Sequence, residues 1–127
     1  MRLLLDTHVL LWWLSDDRRL GSQTRTLIRD ADNSVYVSAA SAWEISIKRA
    51  LGKLKAPASL DDIVLDEGFE KLDISFLHGE RTGALPPLHN DPFDRMLVAQ
   101  ALAEQLTLVS GDKILTGYGM DFIDALQ

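Results

Sequence analysis

Three short apolar runs in this chain each deliver a carboxylate at or just beyond their end. Leu3-Leu4-Leu5 runs into Asp6. Val35-Tyr36-Val37 leads through small residues to Glu44, and Leu106 to Val109 passes through Ser110-Gly111 to Asp112. A further acid, Asp94, opens a helical segment in Asn90-Asp91-Pro92-Phe93-Asp94-Arg95. If the runs are parallel strands, their carboxyl ends share one edge of a sheet, where open α/β sheets bind ligands. Carboxylates converging there repel one another unless protons or cations intervene. Divalent cations with oxygen ligands answer that repulsion, and clustered hard metals point to phosphoryl chemistry.

The pattern between the runs predicts strands alternating with helices. Strands are expected over Arg2 to Leu5, Asn33 to Ser38, Lys71 to Ile74 and Leu106 to Ser110, with a last one around Phe122-Ile123. Helices are expected over His8 to Ser15, Ser22 to Asp30, Ala40 to Leu51 (stopped by Gly52), Leu60 to Phe69, Phe76 to Ala84 and Pro92 to Gln105. The last of these has an aspartate cap, a proline in its first turn and an apolar Met96-Leu97-Val98-Ala99 centre. Such alternation implies βαβ units: an α/β fold with a mainly parallel central sheet flanked by helices. At 127 residues, with no repeat or linker, one domain over 1–127 is expected.

Apolar residues make up 46% of the chain and charged ones 25%, a soluble globular balance. The net charge of −6 disfavours gripping nucleic acid by bulk positive charge. Four of those negatives belong to the proposed cluster, however, and bound cations would offset them. There is no cysteine, which excludes disulfides and thiolate chemistry and fits the cytoplasm. The apolar stretch Leu3 to Leu14 is too short to span a bilayer and is interrupted by Asp6 and His8, so no membrane is expected.

Each acid taken alone has an ordinary explanation. Asp6, Asp91 and Asp112 can cap helices or turns. Ser41 to Glu44 fits a capping box, and Glu44 stands four residues before Lys48. The joint pattern is harder to dismiss. An acid after a wholly apolar strand is costly to bury unless used or paired, and no basic residue adjoins Asp6.

Together, Met-Arg-Leu-Leu-Leu-Asp6-Thr7-His8, Ser-Ala-Trp43-Glu44-Ile, His89-Asn-Asp91-Pro92-Phe93-Asp94-Arg95 and Leu-Val-Ser110-Gly-Asp112 resemble a PIN domain, and more narrowly the VapC toxins of type II toxin–antitoxin pairs. The resemblance covers nearly the whole chain in order, and the stretch from His89 to Gln100 is its most specific piece. It implies a ribonuclease dependent on Mg2+ or Mn2+, with Asp6, Glu44, Asp94 and Asp112 as its catalytic and metal-binding acids. A metal held there would activate a water for attack on a phosphodiester, with Glu44 ligating or orienting that water. The family's hydroxyl-bearing position near the last acid maps to Ser110, although Ser110-Gly111-Asp112 departs from the commoner threonine–basic residue–aspartate pattern. The resemblance also implies an RNA substrate, often transfer RNA, a cognate VapB-type antitoxin and a homodimer.

Thr7, Ser110, Arg95 and His89 are supporting candidates, placed to touch substrate or steady an acid. Arg95 has two readings, an ion pair with Asp91 four residues earlier or a contact to phosphate or an acid. Lys48, Arg49, Lys53 and Lys55 form a basic stretch that RNA could follow. His8 is expected to pack, His78 to lie on the surface, and Trp12, Trp13 and Trp43 to join the core, with one of the adjacent tryptophans lining a partner groove. Two other functions compete. A haloacid-dehalogenase-like phosphatase needs Asp-x-Asp after its first strand, but His8 stands at the third position. A receiver-like phospho-acceptor domain needs an aspartate after a middle strand, and no apolar strand precedes Asp61-Asp62.

Overall fold

The computed structural model describes residues 1–127. Five strands, β1 (Arg2–Leu5), β2 (Ser34–Ser38), β3 (Glu70–Leu72), β4 (Thr107–Ser110) and β5 (Phe122–Asp124), form one sheet in the order β3-β2-β1-β4-β5. Every pairing is parallel. The helices are α1 (Thr7–Ser15), α2 (Ser22–Arg29), α3 (Ala39–Ala50), α4 (Leu60–Asp66), α5 (Phe76–Ala84) and α6 (Pro92–Glu104), with a 3-10 turn at Lys113–Tyr118.

The leucine run at the start is the middle of the sheet because both its faces are apolar. Leu3 and Leu5 join one cluster with Val9, Leu10, Ile28, Val35, Val37 and Ile45. Leu4 points the other way, to Leu97, Val98, Ala101, Leu108 and Leu115. Alternate residues of a strand face opposite sides, so a short run serves two cores at once. Burying a leucine side chain stabilises by roughly 1.5–3 kcal/mol, and all of Leu3, Leu4 and Leu5 are fully buried.

Helix ends follow local chemistry. The expected helix from Leu60 stops early, at Asp66, because Gly68 takes a left-handed φ of 76°. The Phe69 amide then donates back to the Val64 carbonyl at 3.1 Å, which turns the ring into the core. Helix α3 is capped by Ser38, whose hydroxyl accepts from the Ala40 amide at 3.0 Å. The capping box expected at Ser41 is therefore not formed, since Ser41 already lies inside the helix.

Three placements correct the sequence reading. His8 is exposed, because on α1 the inward positions are taken by Thr7, Val9 and Leu10. His78 is buried, bonded to Glu104 at 2.8 Å and accepting from the Ser75 amide at 3.0 Å. Trp43 is 60% exposed. Helix α3 buries Ala40, Ser41, Glu44 and Ile45, and at about 100° per residue that turns position 43 away from the core.

Candidate functional site

The strand order reverses direction between β1 and β4, the neighbours at the centre of the sheet. A crevice opens at the carboxyl ends of such strands. Asp6 follows β1 directly, and its amide donates to the Val109 carbonyl at 3.0 Å, which fastens the two strand ends together. Asp112 lies beyond β4, where its backbone amide donates a hydrogen bond to the Ser110 hydroxyl at 3.0 Å. Asp94 enters from α6, whose first turn is set by Asp91 accepting from the Phe93 amide at 2.8 Å and the Asp94 amide at 3.2 Å. Pro92 suits this first turn because its φ is preset and its missing N–H would have had no helical partner.

Asp6, Asp94 and Asp112 line one open cleft of about 420 Å³ with His8, Trp12, Gly111 and Leu126. Three of the four acids singled out in the sequence thus meet across three separate elements. Glu44 lies behind them, buried, and Lys48 bonds its Oε2 at 2.5 Å. That bond, with the further pull of Asp91 and Asp94, raises the Lys48 pKa. Burial is the main cause that raises Asp6, opposed by the Ser110 hydroxyl and the Val9 amide. Asp94 is pushed up to about 7, first by burial, then by the charges of Asp91, Asp6 and Glu44, with His89 pulling the other way. One acid of the group owns a cation, and the two whose pKa values rise do not.

His89 bridges the remaining charge. Its Nε2 stands 2.9 Å from Asp112 Oδ2 and 3.3 Å from Asp94 Oδ2. Its Nδ1 accepts from the Asp91 amide at 3.0 Å, so the ring proton sits on Nε2 and points at the two acids. The ligand atoms of His89, Asp94 and Asp112 lie within 4.8 Å of one another. With both ring nitrogens engaged, His89 acts as a donor that holds the acids together. The carboxylate oxygens that could hold an ion are those of Asp94 and Asp112, which lie close together, and of Asp6, which lines the same cleft. All-oxygen anionic donors with an uncompensated charge fit a hard divalent cation.

The supporting candidates divide. Ser110 and Thr7 are buried; Thr7 donates its hydroxyl to Ser41 at 3.0 Å, joining α1 to α3 beneath the cleft. Arg95 makes no ion pair with Asp91. Its guanidinium instead donates to the carbonyls of Thr82 (2.8 Å), Leu85 (3.2 Å), Pro86 (3.1 Å) and His89 (3.2 Å). It thereby holds the loop that carries His89. At Gly111, where the family pattern carries a basic residue, a Cβ would make a tight 3.3 Å contact with the Trp12 indole. Lys48 was legible only as a helix pair with Glu44. Its service to the acid group depends on α3 packing against α6.

The family model for the PIN domain matches residues 3–119. The chain belongs to the PIN domain family. The ribonuclease VapC16 of Mycobacterium tuberculosis is 39% identical over 61 residues, a match covering 45% of this chain and 43% of that protein. The chain thus matches under half the length of that relative. Among solved structures, a VapBC2 complex from Rickettsia felis bound to a promoter DNA fragment aligns with TM-score 0.71 at 19% identity, covering 97% of this chain and 98% of that one. VapBC-1 from nontypeable Haemophilus influenzae aligns with TM-score 0.66 at 17% identity over 100% of both chains. These structures share the fold of this PIN domain. Membership leaves the phosphatase and receiver readings without support. No helix of this PIN domain is long and apolar enough to cross a membrane.

Proposed function

We propose that this PIN domain, acting as one unit over 1–127, is an endoribonuclease dependent on Mg2+ or Mn2+, the toxin of a VapBC pair. The observation that carries the reading is the cleft where Asp6, Asp94 and Asp112 converge with more negative charge than the protein itself offsets. A divalent cation bound there would supply Lewis acidity toward a phosphate oxygen and toward water. The carboxylates of Asp6, Asp94 and Asp112 would hold it. His89 keeps Asp94 and Asp112 together through its Nε2–H, and Arg95 keeps His89 in place through the loop carbonyls. Glu44, held by Lys48 on one oxygen, would orient a water with the other. Ser110 steadies the turn into Asp112.

A second groove supports the partner reading. Leu11, Trp12, Leu14, Leu54, Lys55 and Pro57 border about 360 Å³ beside the acid cleft, and His8 and Trp12 line both. An apolar antitoxin helix laid there could send an arginine toward Asp6 and Asp94, whose carboxylates match its planar fork. The relatives named as VapBC complexes favour such a partner, and a homodimer of the toxin in the cytoplasm completes the proposal.

The test is direct. Labelled RNA, with transfer RNA first, is incubated with the purified protein in Mg2+, in Mn2+ and in excess EDTA. Internal cleavage with either metal, lost in EDTA, is the expected result. Cleavage that persists in EDTA, or none with either metal, refutes the reading.

A further inference from the structure

Helix α1 starts directly after Asp6, and His8, Trp12 and Ser15 recur along it at spacings of four and three, so they share one side. That side runs from the acid cleft into the second groove. His8 and Trp12 line both cavities, and Ser15 lines the second. From His8 to Ser15 the helix advances about 10 Å. The wall between the cavities is braced. The Arg19 guanidinium lies 5.2 Å from the centre of the Trp12 ring, and Asp17 holds Arg19 through bonds of 3.1 Å and 2.7 Å. No lysine or arginine lines the acid cleft itself, whereas Arg19 and Lys55 line the second groove. Arg19 is spent on Asp17. Lys55 is exposed and takes part in none of the ion pairs of the fold. The other cations of the basic stretch are placed differently: Lys48 is bonded to Glu44, and Arg49 and Lys53 line neither cavity.

We infer that Lys55 holds a backbone phosphate of the RNA, within about three nucleotides of the phosphodiester at the acids, and that the strand leaves the cleft along α1 past His8 and Trp12. The inference rests on the ribonuclease reading and adds to it where the strand lies. A stacked strand advances about 3.4 Å per nucleotide, so the roughly 10 Å of helix carries about three. The strand is a polyanion, and its flanking phosphates leave a cleft walled by carboxylates. On the α1 side they meet a cation that no carboxylate of the protein neutralises. In a chain of net charge −6, one such local cation matters more than the overall field. An ammonium on a phosphate positions the strand without reading bases, so this contact is indifferent to sequence. An antitoxin helix laid in the same groove would cover Lys55, so helix and strand exclude each other.

Salt dependence reads the contact without catalysis. Each phosphate contact to a single strand adds about 0.7 to the fall of log affinity with log salt, which is about fivefold at about 0.1 M salt. A fluorescein-labelled uridylate octamer is titrated by anisotropy over about 0.05 to 0.4 M salt. Ca2+ replaces Mg2+ as a hard ion of looser geometry, and a gel checks that the octamer stays whole. The proteins are the wild type, Lys55→Ala, Lys55→Arg and Arg29→Ala, with circular dichroism to check folding; Lys55→Gln serves if the alanine variant misfolds. Arg29 ends α2 and lines neither cavity, so its loss removes the same charge elsewhere. Lys55→Ala should flatten the slope by about 0.7 and bind about fivefold more weakly at about 0.1 M salt. Lys55→Arg should keep slope and affinity, and Arg29→Ala should keep the slope. With Mg2+, Lys55→Ala should raise KM about fivefold and hold kcat within about twofold, because the contact is the same before and during reaction. An unchanged slope in a folded Lys55 variant overturns the inference and leaves Lys55 to the antitoxin. An equal loss in Arg29→Ala, or an octamer that the wild type does not bind, overturns it as well. A slope that falls as expected in a protein that cleaves nothing with Mg2+ or Mn2+ supports the strand contact and overturns only the nuclease reading.

Discussion

Two polar clusters draw on α6, one buried around Gln100 and one in the open cleft at Asp94, and they have opposite characters. At the α5–α6 contact, Ser38 donates to Gln100 Oε1 at 2.5 Å, Gln100 Nε2 reaches the Asp73 carbonyl at 3.3 Å, and His78 Nε2 meets Glu104 at 2.8 Å. No fully buried side-chain polar atom of the fold lacks a partner. In the acid cleft, Asp6 and Asp94 are pushed toward protonation by burial first, with the charge of Glu44 adding to both and those of Asp91 and Asp6 adding to Asp94. The first cluster meets its hydrogen-bonding needs internally and fastens β2 to α6. The second is left in electrostatic conflict by its own fold. That uncompensated charge is what the proposed metal site rests on.

The contrast can be broken or sharpened by substitution. The largest effect is expected on turnover. Asp6→Asn and Asp94→Asn should each cut RNA cleavage by about two orders of magnitude or more, because an amide keeps the shape and loses the charge that holds the ion. Near-normal rates in either variant, measured on the RNA that the wild type cleaves, would remove the acid from the site.

Next comes the satisfied cluster. His78→Ala takes away the partner of Glu104 and of the Ser75 amide and opens a void where the ring is 2% exposed. A loss of about 2–3 kcal/mol is expected in urea unfolding. An unchanged midpoint would show that this network contributes little.

The acid cleft should behave the opposite way. Asp94 holds its proton up to about pH 7 in the fold, against 3.8 as its ordinary value. The folded protein therefore binds a proton that the unfolded chain releases earlier. That contribution to stability is full below about pH 4 and is lost as pH rises through 7. Metal-free Asp94→Asn should accordingly be more stable than the wild type at pH 7.5. The gain is about 1–2 kcal/mol, discounted for the part of the carboxylate that solvent screens. Thermal melts in EDTA at pH 4 and pH 7.5 check it; a gain that is equal at both pH values contradicts the assignment.

The smallest effect is expected at Asp61, an exposed acid that pairs with Lys71 at the surface. Asp61→Asn should change stability by less than about 0.5 kcal/mol and leave cleavage untouched. A larger change in either would mean that the distinction between surface acids and cleft acids is drawn in the wrong place.

Much of this protein was legible from its residues alone. The apolar runs marked the strands that carry Asp6 and Asp112, Asp91-Pro92 marked where α6 starts, and Phe76 to Ala84 matched α5 to the residue. Periodicity and capping are local, so they survive in a linear text. What local pattern could not carry was the partner of each polar group. His78 is buried because Glu104, 26 residues away, receives its ring. Arg95 passes over Asp91 because three loop carbonyls and that of Thr82 in α5 converge on it. His89 reaches Asp112, 23 residues on, only after α6 and β4 have packed. Trp43 is outside because its helix turns Glu44 in. The sequence determined which acids arrive at one end of the sheet, since strand direction follows from alternating elements. Only the tertiary structure decided which of them is paired, Glu44 with Lys48, and which line the open cleft, because charge compensation depends on distance through space and not along the chain.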